Sequence, residues 1–149
     1  NYILSGLIGN YTGLNEVIVS STNGQFSGFS LEYILGQIFR VFAWIIGIEW
    51  SQTLQVGSLL GQKTVINEFV AYLSLADMKN AGTLSSKSIV IATYALCGFS
   101  NFSSIAIQVG GIGSIAPNQQ GNISKLGMKA LMAATLACLM TATIAGALF

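Results

Sequence analysis

The chain of 149 residues is 52% hydrophobic and only 7% charged, with a formal net charge of +1 and a mean hydropathy of +0.67. Soluble domains carry about 25% charged residues, so these side chains cannot dress a water-facing surface, and the composition reads as an integral membrane protein. The near-neutral balance gives no footing for nucleic acid or an acidic partner. Histidine is absent from the sequence, which removes the usual general base and the commonest metal ligand.

In chain order, residues 1–30 read as a truncated helix tail and a loop. The chain starts inside an apolar run, Tyr2 to Ile8, as expected of the C-terminal part of a longer polypeptide. Asn10 to Ser30 is rich in Gly, Asn, Ser and Thr, with Glu16 its single charge, and predicts a loop. Residues 31–50 predict a transmembrane helix whose apolar body is Leu31 to Ile48. Arg40 lies within it. An arginine at mid-bilayer costs about 3 kcal/mol or more unless it snorkels or finds a partner. Arg40 is therefore expected to face protein or to sit near an interface, with Trp44 and Trp50 as interfacial anchors.

Residues 51–76 differ. Two apolar pieces, Leu54 to Leu60 and Val65 to Leu75, flank Gly61-Gln62-Lys63-Thr64. Each is too short to cross a bilayer, which predicts a re-entrant hairpin over one tilted helix kinked at Gly57 and Gly61. After a polar connection, residues 88–117 predict a broken transmembrane helix. No charge occurs between Lys87 and Lys125, yet Gly98-Phe99-Ser100-Asn101-Phe102-Ser103-Ser104 is polar at its centre. Lipid tolerates an opened backbone only where protein or a cavity receives the freed groups, and such breaks point to a transporter's binding site. Pro117 ends the segment, Asn118 to Ser124 predicts a turn, and residues 124–149 predict the C-terminal transmembrane helix. There Ala130, Ala134, Ala137, Thr141 and Ala145 recur at spacings of four and three, which predicts a packing face. Lysines balance on the two sides of the broken segment (Lys79 and Lys87 against Lys125 and Lys129), so charge does not set the orientation.

The fold class is thus all-α integral membrane, with one re-entrant helical hairpin and one broken helix. Within it, Glu68 stands among apolar neighbours, and an intramembrane acid marks a functional site. Its competing reading is a structural salt bridge with Lys63 or Arg40. Asn101 and Ser104, three residues apart, offer donors and acceptors suited to a polyhydroxyl ligand; alternatively they satisfy a bent backbone locally. Phe99 reads as a core aromatic or as a surface for a ligand ring. Cys97 and Cys138 lie in apolar spans and read as small buried hydrophobes. Gly110-Gly111-Ile112-Gly113 lacks the strand before and the Lys-Ser/Thr after that a phosphate loop needs, so packing or a bend explains it better. No nucleophile has a base beside it, no metal-ligand spacing occurs, and no enzyme emerges.

Three blocks then become recognisable: Gly61-Gln-Lys-Thr-Val-Ile-Asn-Glu68-Phe-Val-Ala-Tyr72, Tyr94-Ala-Leu-Cys-Gly-Phe-Ser-Asn101-Phe-Ser-Ser104-Ile-Ala-Ile-Gln-Val-Gly-Gly111, and Ala116-Pro117-Asn118. Their order and spacing strongly resemble the C-terminal portion of concentrative nucleoside transporters, from about Leu31 to the end. That resemblance implies a cation-coupled (sodium or proton) nucleoside importer of the bacterial inner membrane, working as a homotrimer in the lipid bilayer. It implies that Glu68, Asn101 and Ser104, with Phe99 beside them, bind the ribose. It also implies that nucleobase contacts and the coupling-ion ligands belong to a first hairpin, with a Gln-Thr-Glu motif, and to a partner broken helix, both absent from this sequence. Where the family often has a proline, in the Phe39 to Ala43 region, this chain has Arg40-Val41. The rival reading is a structural membrane module that scaffolds a partner complex without moving solute; a channel would need a continuous polar stripe, which neither Leu31 to Ile48 nor Leu126 to Phe149 offers.

Overall fold

The computed structural model describes residues 2–149, and every regular element among them is helical. A π-helix, Tyr2–Gly9, runs into α1 (Asn10–Thr12) and, past Gly13, into α2 (Leu14–Ser21). The segment expected as a loop is therefore partly helical. Its turn-forming residues bracket α2: Gly13 has φ 70°, and Asn23 and Gly24 have φ 51° and 78°. Ile18 of α2 is buried with Phe26 and Leu54, which anchors the helix through its apolar face.

Helix α3 (Leu31–Ile45) starts at Ser30, whose side chain accepts a hydrogen bond from the Tyr33 amide. It ends three residues before the apolar run does, because Gly47 takes a left-handed φ of 99°. The Gly47 and Ile48 amides then reach back to the Trp44 and Ala43 carbonyls, a Schellman termination. At 1.5 Å per residue α3 spans about 22 Å. A 3₁₀ turn, Trp50–Gln52, leads into α4 (Thr53–Val65) and α5 (Glu68–Asn80). Arg40 faces protein, as expected: its guanidinium lies 4.1 Å from the centre of the Trp50 ring, and its Nε donates to Thr53 Oγ1 at 3.1 Å.

Next come α6 (Ser86–Leu96), α7 (Phe102–Ile115), a 3₁₀ turn at Pro117–Gln119 and α8 (Gln120–Leu148). The last helix starts inside the stretch expected as a turn, since only the Pro117–Gln119 turn separates it from α7. Together Pro117–Leu148 form the one helical stretch, among the described residues, long and apolar enough to cross a bilayer.

The core joins α3, α4, α5, α6 and α8 through Ala43, Val56, Leu59, Ala71, Ile91 and Ala142, each fully buried. Helix α4 sits at its centre, buried from Thr53 through Gly61. It meets α3 backbone to backbone: a Cβ on Gly57 would lie 2.6 Å from the Gly36 carbonyl oxygen and 2.9 Å from the Arg40 nitrogen.

Three sequence expectations need correction. The buried face of α8 is Leu131, Ala142 and Gly146 with half-buried Thr135 and Cys138; of the expected stripe Ala134 and Ala145 are half-buried, while Ala130, Ala137 and Thr141 are exposed. The contact pairs small with large, as where Gly146 meets the Ile91 side chain, so a rule that selects small residues alone misses its register. Gly113 is buried against the Gln120 side chain, but Gly110 and Gly111 have no atom within 4 Å of an added Cβ, so none of the described residues packs closely on them. Cys97 is exposed and Cys138 half-buried, both as free thiols, because Cys97 falls where α6 has already ended.

Candidate functional site

Two interruptions face each other. The first, Ile66-Asn67, separates α4 from α5; the second, Cys97 to Asn101, separates α6 from α7. Each ends on an asparagine that caps the next helix. Asn67 accepts from the Val70 amide at 2.9 Å, and Asn101 accepts from the Ser104 amide at 2.7 Å. Capping residues satisfy amides that the first helical turn leaves unpaired, so both breaks are built by local chemistry.

The expected site residues come together. Asn101 Nδ2 donates to Glu68 Oε2 at 2.8 Å, and the Ser104 hydroxyl donates to Asn101 Oδ1 at 2.9 Å. Asn101 is therefore the bridge, 2% exposed, with Glu68 and Ser104 half-buried on either side. The Asn101 oxygen satisfies the bent backbone locally by capping α7, and its nitrogen holds the acid. Glu68 opens α5 as Asn101 opens α7, so two helix N-termini, each carrying about half a positive charge, converge on one carboxylate. Lys63 and Arg40, the competing salt-bridge partners, are engaged elsewhere: Lys63 Nζ donates to the Ala95 carbonyl at 2.8 Å and Arg40 to Thr53.

Phe99 is 79% exposed and is not a core aromatic. It lines, with Asn101, Ser104, Gln108, Leu126 and Ala134, an open cavity of about 310 Å³. Ligand pockets run from roughly 300 Å³ upward, so this is a small, mostly apolar half-cup with a polar rim at Asn101 and Ser104. A larger cavity of about 540 Å³ opens between the N-terminal segment, α4 and α5, away from Glu68, beside Gln55 and Ser58. Its Gln55 Oε1 is buried without a partner among the described residues. Among the described residues no three His, Cys, Asp or Glu side chains gather as metal ligands.

Two further links tie the flanking segments together and were not foreseen. The Tyr72 hydroxyl donates to the Thr93 carbonyl at 2.8 Å, and the Ser103 hydroxyl to the Ile66 carbonyl at 3.3 Å. Tyr72 belongs to a recognisable block, but its partner lies 21 residues away, beyond any local spacing rule.

A model of the family described as "Na+ dependent nucleoside transporter C-terminus" matches residues 1–146. The chain belongs to this family. It is 50% identical over 127 residues to NupX of Escherichia coli, covering 83% of this chain and 30% of that protein. To solute carrier family 28 member 3 of Mus musculus it is 45% identical over 132 residues, covering 80% and 19%. Its fold matches CNTnw, solved in an inward-facing substrate-bound state, with a TM-score of 0.77 and 41% identity over 92% of this chain and 33% of that one. The chain thus spans about a third or less of the relatives it matches. The family is that of the concentrative nucleoside transporters, whose members are membrane proteins.

Proposed function

We propose that this chain is the C-terminal domain of a cation-coupled nucleoside importer and supplies the ribose half of its binding site. The carrying observation is the continuous hydrogen-bonded set Glu68–Asn101–Ser104, in otherwise apolar segments, beside the half-cup under Phe99. A carboxylate accepts from up to four directions and Asn101 Nδ2 has two protons. After the internal bonds, Glu68 keeps an oxygen for a ribose hydroxyl, Asn101 a second N–H and Ser104 its lone pairs. A carboxylate can accept from two neighbouring hydroxyls of one diol at once. Phe99 offers an apolar face to the sugar.

In this reading α4 and α5 are a re-entrant hairpin, supported by the Ser74 hydroxyl bonding Gln62 across the turn at 2.8 Å. Helices α6 and α7 are the halves of a broken transmembrane helix, and α8 is the terminal span. The protein is a homotrimer in a bacterial inner membrane, coupled to sodium or protons through residues outside this segment, and the hairpin and broken helix move together as an elevator-like unit.

The test uses a chimera in which residues 1–149 replace the matching C-terminal part of NupX. Glu68→Ala should lower uridine uptake at least about tenfold, the scale of one lost charged hydrogen bond, and uridine lacking its 2′ and 3′ hydroxyls should compete poorly. Wild-type uptake by Glu68→Ala would overturn the reading.

A further inference from the structure

The two interruptions leave four free helix ends, sorted by sign. The N-terminal ends of α5 and α7 meet at Glu68 and Asn101. The C-terminal ends of α4 and α6 meet at Lys63. This residue lies in the last turn of α4, and its Nζ donates at 2.8 Å to the carbonyl of Ala95, in the last turn of α6. Lys63 is 2% exposed, among Phe39, Phe42, Leu60 and Leu139, with Thr64, Ser100 and Thr135 the hydroxyl residues nearby. An ammonium buried against such neighbours is costly unless partial negative charges compensate it. Helix C-termini supply them, each about half a negative charge. In broken-helix transporters, half-helix C-termini and freed carbonyls are where a coupling cation is held.

We propose that Lys63 is a tethered cation, permanently filling the monovalent-cation position that the ends of α4 and α6 create. It is a positioning residue: it holds the end of α4, and with it Glu68 five residues on, against α6 without an exchangeable ion. This half of the transporter then draws no solute ion to that place. Only the uptake arm of the test rests on the nucleoside reading.

In the same chimera, Lys63→Met keeps the length of the side chain and removes the charge, and Lys63→Ala opens room for a small amine. Thermal melting in detergent is followed with ethylammonium chloride, with ethanol as the neutral mimic and with choline as a bulky cation. Lys63→Met should lose uridine uptake at least about tenfold. Ethylammonium, and neither control, should raise the Lys63→Ala melting midpoint and restore its uptake about threefold or more. Lys63→Met with wild-type uptake and melting would overturn the proposal, as would a Lys63→Ala midpoint indifferent to ethylammonium. Should Lys63→Ala purify only with ethylammonium present, the proposal stands; should ethylammonium not recover it, the proposal fails. Melting involves no nucleoside, so this result is read separately from that of Glu68→Ala.

Discussion

At the scale of single residues, Asn101 carries the most. Its oxygen takes the Ser104 amide and hydroxyl while its nitrogen gives to Glu68. Aspartate would keep the cap, being as good an N-cap as asparagine, but would set a second oxygen against the Glu68 carboxylate. Asn101→Asp should therefore lower stability by about 1–3 kcal/mol without fraying α7. Adding Glu68→Gln restores a donor–acceptor pair across the same gap, so the double variant should melt closer to wild type than Asn101→Asp alone. Melting curves of the four members of this cycle measure the coupling directly; strict additivity would mean that the contact contributes nothing. The members of the candidate site were legible because a charge or an amide in an apolar run is conspicuous. The division of labour within it was not. Asn101 is a cap only because α7 starts at Phe102, and Lys63 finds its carbonyl 32 residues away; neither follows from local spacing.

Among elements, the α3–α4 seam decides where the site stands, since α4 ends at the turn before Glu68. Three glycines build it: Gly36 and Gly57 let the backbones touch, and a Cβ on Gly61 would collide with the Leu35 side chain. At Gly57 the obstruction is backbone, which cannot rotate away, so the helices themselves must part. Gly57→Ala should cost about 1–3 kcal/mol, as overpacking does, despite the better helix propensity of alanine. Melting of the chimera checks this, and a neutral or stabilising outcome would mean that the seam is looser than described. The sequence announced the order of the helices, because apolar length and polar breaks are one-dimensional signals. It did not announce their ends or registers. The α2 helix hides behind turn residues that frame it, and Gly47 stops α3 inside an apolar run. The face of α8 pairs Gly146 with Ile91 and Cys138 with Gly98, a matching that exists only once α6 lies beside it.

Across the whole molecule, the outer face of α7 is the element least explained by this chain. Ile107 and Ile115 are 71% and 85% exposed, and Gly111 lies between them at a spacing of four with open space where its Cβ would be. A glycine inside a helix costs about 1 kcal/mol relative to alanine, and that cost is offset only where another backbone approaches closely. Lipid would take a leucine there without penalty, whereas a protein surface shaped to glycine would not. The chain covers 30% of NupX, so in the chimera the remaining part of NupX is available to pack on this stripe. Gly111→Leu should therefore leave the helicity and melting of the 149-residue chain in detergent unchanged or slightly improved. In the chimera the same substitution should depress uridine uptake and the melting midpoint, since the added side chain must push the preceding part of the protein away. Equal tolerance in both settings would place Gly111 against acyl chains and move the surface that meets the rest of the transporter to another side of α7.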